Sequence, residues 1–251
     1  MYLVDFDRNY DILVGEKTNL DVNGYVQADS LYDMFKLIPE EGFGIEPPEV
    51  RSESIDIPGA MGSRSLVNFL TGYPVFTNRQ GNLSFISFEH SPIIMPRIYR
   101  KFHGRELNLV MPNRQDYFYT GMFEVTKYSI ESDNVEVELQ YNLQPYLFSR
   151  DLSNLVLTDE TETVLRIVEG NTQPYMPIIR LETETPEYPT QLIFKNEELQ
   201  INSTVTLQPG INHLGTQVII SRFDRNNENK FKLLQNGGNS KVTIEYRHCM
   251  L

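Results

Sequence analysis

The sequence contains no tryptophan and a single cysteine, Cys249, in 251 residues. One thiol forms neither an internal disulfide, nor a cysteine-based zinc site, nor a redox pair, which leaves Cys249 a surface or packing role. The missing tryptophan, beside 14 Tyr and 14 Phe, counts against a carbohydrate site built on large stacking rings, although Tyr can take that part. Bases are also few: 22 Lys and Arg stand against 34 Asp and Glu, a net charge of −12 spread along the chain. Such a chain gains little by displacing counterions from a phosphate backbone, so specific nucleic-acid binding is excluded. The longest apolar runs, such as Gln217 to Ile220, are strand-sized and far short of the ~20 residues that cross a bilayer. Met1-Tyr2-Leu3-Val4-Asp5 carries no export signal. The expectation is a soluble, unexported chain without a membrane partner.

The motifs with the most specific mechanics are missing as well. There is no phosphate-binding Gly-rich loop, no dinucleotide fingerprint, no His-Glu-x-x-His and no Gly-x-Ser-x-Gly. The four histidines, His90, His103, His213 and His248, include no pair at helical spacing, so a histidine metal site would need a tertiary coincidence. Acids cluster at Asp159, Glu160 and Glu162 and again at Glu182, Glu184 and Glu187, where a glycosidase-like pair is conceivable, but carboxylates at strand ends are mostly solvated. Asp224 to Asn229 resembles a calcium loop at alternate positions. It lacks the sharp-turn Gly and the distal Glu, which favours a polar hairpin loop. The sequons at Asn82 and Asn202 are chance matches without an export signal. No catalytic residue, metal or cofactor is implied.

What is present is β-structure. With 40% hydrophobic residues, a chain of this size can withdraw about 70–75% of its surface from water, enough for one large or two medium cores. Val135 to Leu143 alternates apolar and polar at every step, the pattern of a strand with one wet face. It follows Phe123 to Ile130 across the turn-forming Glu131-Ser132-Asp133-Asn134, which predicts an antiparallel hairpin. Further strands are expected at Leu83 to Phe88, Leu107 to Met111, Val164 to Val168, Ile178 to Glu182, Gln191 to Phe194, Gln217 to Ser221 and Val242 to Tyr246. Three short helices are expected in the first half. One is capped at Asp29-Ser30 and closed by Pro39, one is opened by Ser63 and stopped by Gly72, and one runs from Pro96 to His103 with Gly104 as its stop. The segment after Pro145 is nearly all strand and turn. The acid- and proline-rich stretch from Glu40 to Pro58 reads as an exposed arm or long loop able to contact a neighbour.

From residue 57 to residue 128 the order of elements becomes specific. Ile57-Pro58-Gly59-Ala60-Met61-Gly62, Leu66 to Gly72, Tyr73-Pro74-Val75-Phe76-Thr77-Asn78-Arg79 and Leu83-Ser84-Phe85 together resemble the distal tail proteins of long-tailed siphophages, the Dit family. Phe102-His103-Gly104-Arg105 is similar to that family's Leu-His-Gly-Lys turn. Tyr117-Phe118-Tyr119-Thr120-Gly121 is similar to its aromatic-Gly strand, and Val242 to His248 to its closing strand. Met61 and Met122 depart from the family's usual polar and basic residues.

The resemblance implies a mainly β protein. An N-terminal β-rich domain with short helices and a hairpin, residues 1–146, would form a hexameric ring. A C-terminal galectin-like β-sandwich, residues 147–251, would point outward. The last strand, 241–251, either completes the sandwich or crosses back to the first domain. Such rings form the hub of a non-contractile tail tip in the virion, assembled in the host cytoplasm. Implied partners are further copies of the chain, in one ring or two back to back, the tail tube protein, the tail-associated lysin or fibre protein and, in some phages, a receptor-binding protein.

A head-to-tail ring needs two different complementary surfaces on each subunit, and the arm and the hairpin can supply them. A channel that passes DNA without holding it favours acids on its wall, which nominates Glu136 and Glu138 or the acidic arm. Arg79 is either a plain turn residue or a partner for acids across an interface, where its planar fork suits carboxylates. His103 and Gly104 read as a helix stop, with an added subunit contact, shared with Arg105, as the sharper alternative. Two other classes compete with the structural hub: a carbohydrate-binding β-sandwich module and a glycan-cleaving enzyme.

Overall fold

A computed structural model describes residues 8–20, 24–40, 44–51, 54–55, 64–65, 75–87, 93–131, 134–166, 176–197, 199–220, 228–235 and 239–251. The helix expected after Ser63, most of the motif between residues 57 and 74, and residues 224–227 of the 224–229 loop lie outside the described residues. The chain divides into two compact units: Met1–Asp21 with Val26–Leu147, and Val22–Tyr25 with Phe148–Leu251.

The first unit holds strands β1 (Leu13–Glu16), β2 (Asp29–Ser30), β3 (Ile38–Pro39), β4 (Ser54–Ile55), β5 (Arg64–Ser65), β6 (Arg79–Ser87), β7 (Arg105–Val110), β8 (Tyr117–Glu131) and β9 (Asn134–Leu143). An antiparallel sheet runs in the order β2-β1-β7-β8-β9-β6-β3, while β4 pairs with β5. The expected hairpin is the β8–β9 pair, registered from Gly121↔Leu143 to Glu131↔Asn134 with a bulge between Val125 and Lys127. β9 pairs along its other edge with β6, from Arg79↔Leu143 to Ser87↔Val135. Alternation sends Leu83, Phe85, Phe123, Val125, Val137, Leu139 and Tyr141 into the core, all nearly inaccessible to solvent.

Two helices cover that apolar face. In α1 (Leu31–Phe35), the Ser30 hydroxyl oxygen caps the N-terminus by accepting the Asp33 N–H at 2.9 Å. The helix stops well before Pro39 because Lys36 turns left-handed, with φ 54°. α2 (Ile94–Phe102) begins two residues before Pro96, whose missing N–H is harmless in a first turn. Its Ile98 and Phe102, four apart, are fully buried, and Phe102 packs at 6.2 Å ring spacing against both Phe35 and Phe123. Arg100 and Lys101 stand in its last turn, where positive charge suits the helix dipole.

Strand β10 (Leu147–Ser149) carries the chain into the second unit. That unit holds β11 (Ser153–Leu157), β12 (Thr163–Leu165), β13 (Ile178–Thr183), β14 (Thr190–Asn196), β15 (Ile201–Leu207), β16 (Gly210–Asn212), β17 (Asn229–Gln235), β18 (Ser240–Tyr246) and β19 (Cys249–Met250). Two antiparallel sheets, β11-β18-β13-β16 and β12-β17-β14-β15, form a sandwich. Ile179, Leu181, Val242 and Ile244 of one sheet share a single buried cluster with Leu192, Phe194, Phe231 and Leu233 of the other. β18 lies between β11 and β13, and β19 pairs with β10, with Cys249 buried. Of the strand expected over Gln217 to Ser221, the described residues show the end of a short 3-10 turn at Gly215–Gln217, Val218 and Ile220 buried in the core and a β-bridge at Ile220, while Ser221 lies outside the described residues.

Candidate interaction surface

Of the residues nominated for contact with DNA or partners, Glu136 and Glu138 lie on the wet face of β6, β9 and β8. Register partners in an antiparallel sheet share a face. Asn142, Gln140, Glu138 and Glu136 of β9 stand beside Gln80, Asn82, Ser84 and Ile86 of β6. On the other side they meet Met122, Glu124, Lys127 and Ser129 of β8. The result is a three-strand surface of amides, hydroxyls and carboxylates, with Lys127 as its cation and Met122 and Ile86 as apolar members.

Within this face Glu136 and Glu138 are held differently. Lys127 Nζ donates to Glu136 Oε2 at 2.6 Å, and the Ser129 hydroxyl adds a long contact of 3.4 Å. The hydrogen bond and charge of Lys127 hold the Glu136 carboxyl below the ordinary carboxylate value. Glu138 instead accepts from neutral groups, Asn82 Nδ2 at 2.8 Å and Thr126 Oγ1 at 3.1 Å. The bulge creates both arrangements, because it places Thr126 and Lys127 together on the wet face.

Arg79, offered by the sequence either as a plain turn residue or as a partner for acids across an interface, opens β6 and is buried at 5% exposure. Its Nε donates to the Pro145 carbonyl at 2.8 Å and a terminal nitrogen donates to the Glu46 carbonyl at 3.1 Å. The guanidinium also lies over the Tyr119 ring, 5.4 Å from its centre. Burial pulls the Arg79 pKa down and pushes that of Tyr119 up. The side chain therefore holds its own unit together.

The described part of the arm, residues 44–51, is extended and largely exposed. Glu46 N–H donates to the Tyr141 hydroxyl at 2.9 Å, Arg51 N–H to the Val75 carbonyl at 2.7 Å and Thr77 N–H to the Glu49 carbonyl at 2.8 Å. Val50 forms a bridge with Phe76 and remains 50% exposed. The arm is thus laced along its own unit while keeping an outer side open.

His103 and Gly104 form the helix stop. His103 N–H donates to the Tyr99 carbonyl at 2.9 Å, and Gly104, at φ 68°, donates its N–H to the Phe123 carbonyl at 2.9 Å. His103 Nδ1 accepts the Val125 N–H at 3.3 Å, so the imidazole pins β8 as well. Arg105 is exposed, with its guanidinium 3.9 Å from the Glu16 carboxylate. Sequence reading passed over the amides Gln80, Asn82, Gln140 and Asn142 and over Ile130, which is 65% exposed near the hairpin end. The strict alternation of β9 carried the signal for Gln140 and Asn142.

No protein-family model matches the sequence, and no curated protein matches it. Among solved structures, the crystal structure of SPP1 Dit (gp 19.1) matches with a TM-score of 0.60 at 12% sequence identity. That protein is described as a paradigm of the hub adsorption apparatus in Gram-positive infecting phages. The match covers 96% of this chain and 99% of that one, so it takes in both units rather than a sandwich shared by many unrelated proteins. Over nearly its whole length, this chain has the fold of SPP1 Dit.

Proposed function

We propose that this chain is the hub subunit of a phage adsorption apparatus, placed at the tip of a long non-contractile tail. It assembles as a hexameric ring through the first unit, joins the tail tube on one face and carries the lysin or fibre protein on the other. A receptor-binding protein is a further candidate partner. The role is structural, and no catalytic step is assigned to it.

The observation that carries this reading is the two-unit match to SPP1 Dit across almost the full length of both chains. Fold alone does not transfer function, but a sugar-binding module or an enzyme would need only one of the two units to resemble anything. The wet face of β6, β9 and β8 supports the same reading. Glu124, Glu136 and Glu138 among neutral amides give a surface that repels phosphates and offers them few cations to bind. We place this face on the wall of the central channel.

The test is the native mass by light scattering, over a range of protein concentrations and at two salt levels because the subunit is acidic. Six or twelve copies of a 29.1 kDa chain give about 175 or 350 kDa, and either mass supports the ring. A monomer under every condition that also fails to assemble with tail tube protein would overturn it in favour of the sugar-binding module.

A further inference from the structure

The second unit contains a polar pocket whose place and chemistry lie outside the hub role. It occupies about 430 Å³ at one end of the sandwich and is lined by Thr158, Glu182, Thr183, Glu184, Asn239, Ser240 and Lys241. That volume falls within the ~300–1,000 Å³ of small-molecule sites and accommodates one six-membered sugar ring.

Its floor is fixed by a chain of hydroxyls. Thr190 Oγ1 and Ser240 Oγ lie 2.8 Å apart in the core, Ser240 Oγ donates to Thr183 Oγ1 at 3.1 Å, and Thr183 Oγ1 donates to the Asn239 carbonyl at 3.2 Å. Behind it, Gln235 Nε2 donates to the carbonyls of Ser240 and Thr158 at 2.7 and 3.1 Å. A floor whose polar groups already have partners costs little to reorganise when a ligand arrives.

The walls are of a different kind. Lys241 Nζ donates to Glu182 Oε2 at 3.0 Å, which leaves that pair with spare donor and acceptor capacity. Among the described residues the Glu184 carboxylate has no side-chain partner, and Asn239 adds an amide at the rim. Two carboxylates against one ammonium disfavour an anion. The ammonium disfavours a metal ion, and the lining offers no large apolar side chain to an apolar ligand. Carboxylates beside an ammonium and an amide suit a ligand whose groups both donate and accept. Adjacent ring hydroxyls fit this lining, because both can donate to one carboxylate while accepting from an ammonium and an amide. The turn that follows Glu184 ends at Tyr188, whose N–H donates to the Thr185 carbonyl at 3.1 Å and whose ring is 46% exposed.

We infer that this pocket binds a neutral sugar ring of a surface glycan. The hub reading does not require it, and a ring without this site would still be a hub. Single-ring affinity at such an open site is weak, about millimolar, so many copies on one ring are needed for useful attachment.

Ligand-observed NMR on the full-length protein suits an assembly of any size. The probes are methyl glucoside, methyl galactoside and N-acetylglucosamine, each tested against the native chain, Glu184→Ala, Asn239→Ala and Lys232→Ala on the opposite sheet. Positions 184 and 239 are exposed, and thermal melting checks that each variant remains folded. The expected result is saturable transfer to at least one sugar, weakened about tenfold or more by either pocket variant and unchanged by Lys232→Ala. Absence of transfer to all three sugars, or transfer that survives in both pocket variants, overturns the inference. Neither outcome alters the mass measurement that tests the hub.

Discussion

The Tyr141 hydroxyl accepts the backbone N–H of Glu46 at 2.9 Å, joining the C-terminal part of β9 to an arm 95 residues earlier in the chain. The ring is 1% exposed and burial raises its pKa, so the hydroxyl stays neutral through the physiological range. Tyr141→Phe removes this acceptor and leaves the Glu46 N–H to water. The expected cost is about 1 kcal/mol, with faster amide exchange at Glu46 and little change in the core strands.

The same ring explains Gly81. A Cβ built there lies 2.4 Å from the Tyr141 hydroxyl oxygen and 2.8 Å from the ring carbon that bears it. The backbone at Gly81 is ordinary, so only space is at issue. Gly81→Ala is predicted to destabilise by about 1–3 kcal/mol, read as a lower denaturant midpoint. In the Tyr141→Phe background the penalty shrinks, because the closest atom is gone.

Arg79 holds Pro145 and Glu46 from opposite sides through two carbonyls. Arg79→Met keeps the length and loses both donors, which is expected to cost about 2–3 kcal/mol. Arg79→Lys recovers only part of this, since one ammonium does not reproduce a planar fork. Protease cleavage within residues 44–51 reports release of the arm. Unchanged cleavage in both variants would show that Arg79 does not hold it.

The pair of Lys127 and Glu136 gives a pH signature. The Glu136 pKa is depressed in the folded chain. Its stabilising contribution is therefore present above the ordinary carboxylate range and is lost as pH falls through the depressed value. The group is solvent-accessible, so the effect on stability is small and screened by salt. Titration of Glu136 by NMR should show a pKa below the ordinary value that rises toward it in Lys127→Met.

Reversing the charges tests the proposed channel wall. Glu136→Lys with Glu138→Lys replaces two repelling groups per subunit with two that attract phosphate, twelve in the proposed hexamer. Phage assembled with this double variant is expected to release DNA more slowly, with the largest delay at low ionic strength. Normal release kinetics would move the channel to another face.

The β9 pattern was legible because every second residue from Val135 to Leu143 is apolar and the sheet obeys that alternation. β8 was legible as a strand, yet its bulge passed unnoticed. The apolar positions 123 and 125 give way to 128 and 130, a phase jump that one extra residue between them accounts for. β17 and β15 went unread for another reason. Lysines separate the apolar residues of β17, and a serine interrupts those of the edge strand β15, so their core-facing sides emerge only once their neighbours are in place. Charge and alternation pointed to Glu136 and Glu138. The partners that hold them, Asn82, Thr126 and Lys127, depend on a long-range register and a bulge that no local window contains. The burial of Arg79 was hidden for the same reason, since its two acceptors come from opposite sides in sequence.

Near its C-terminus the chain closes on its own beginning. Arg247 donates to the carbonyls of Ser149 and Arg150, at 3.1 and 2.6 Å, and to that of Gly24, while the Arg150 guanidinium lies 4.5 Å from the centre of the Tyr25 ring. Gly24 and Tyr25 thus belong to the second unit although first-unit sequence flanks them on both sides. A recombination event that exchanged everything after residue 147 would bring in a new arginine and leave the old glycine carbonyl behind. For a lineage that trades parts by crossover, these few residues act as a compatibility key, and a successful exchange must either carry both halves of it or find a donor cut to the same pattern.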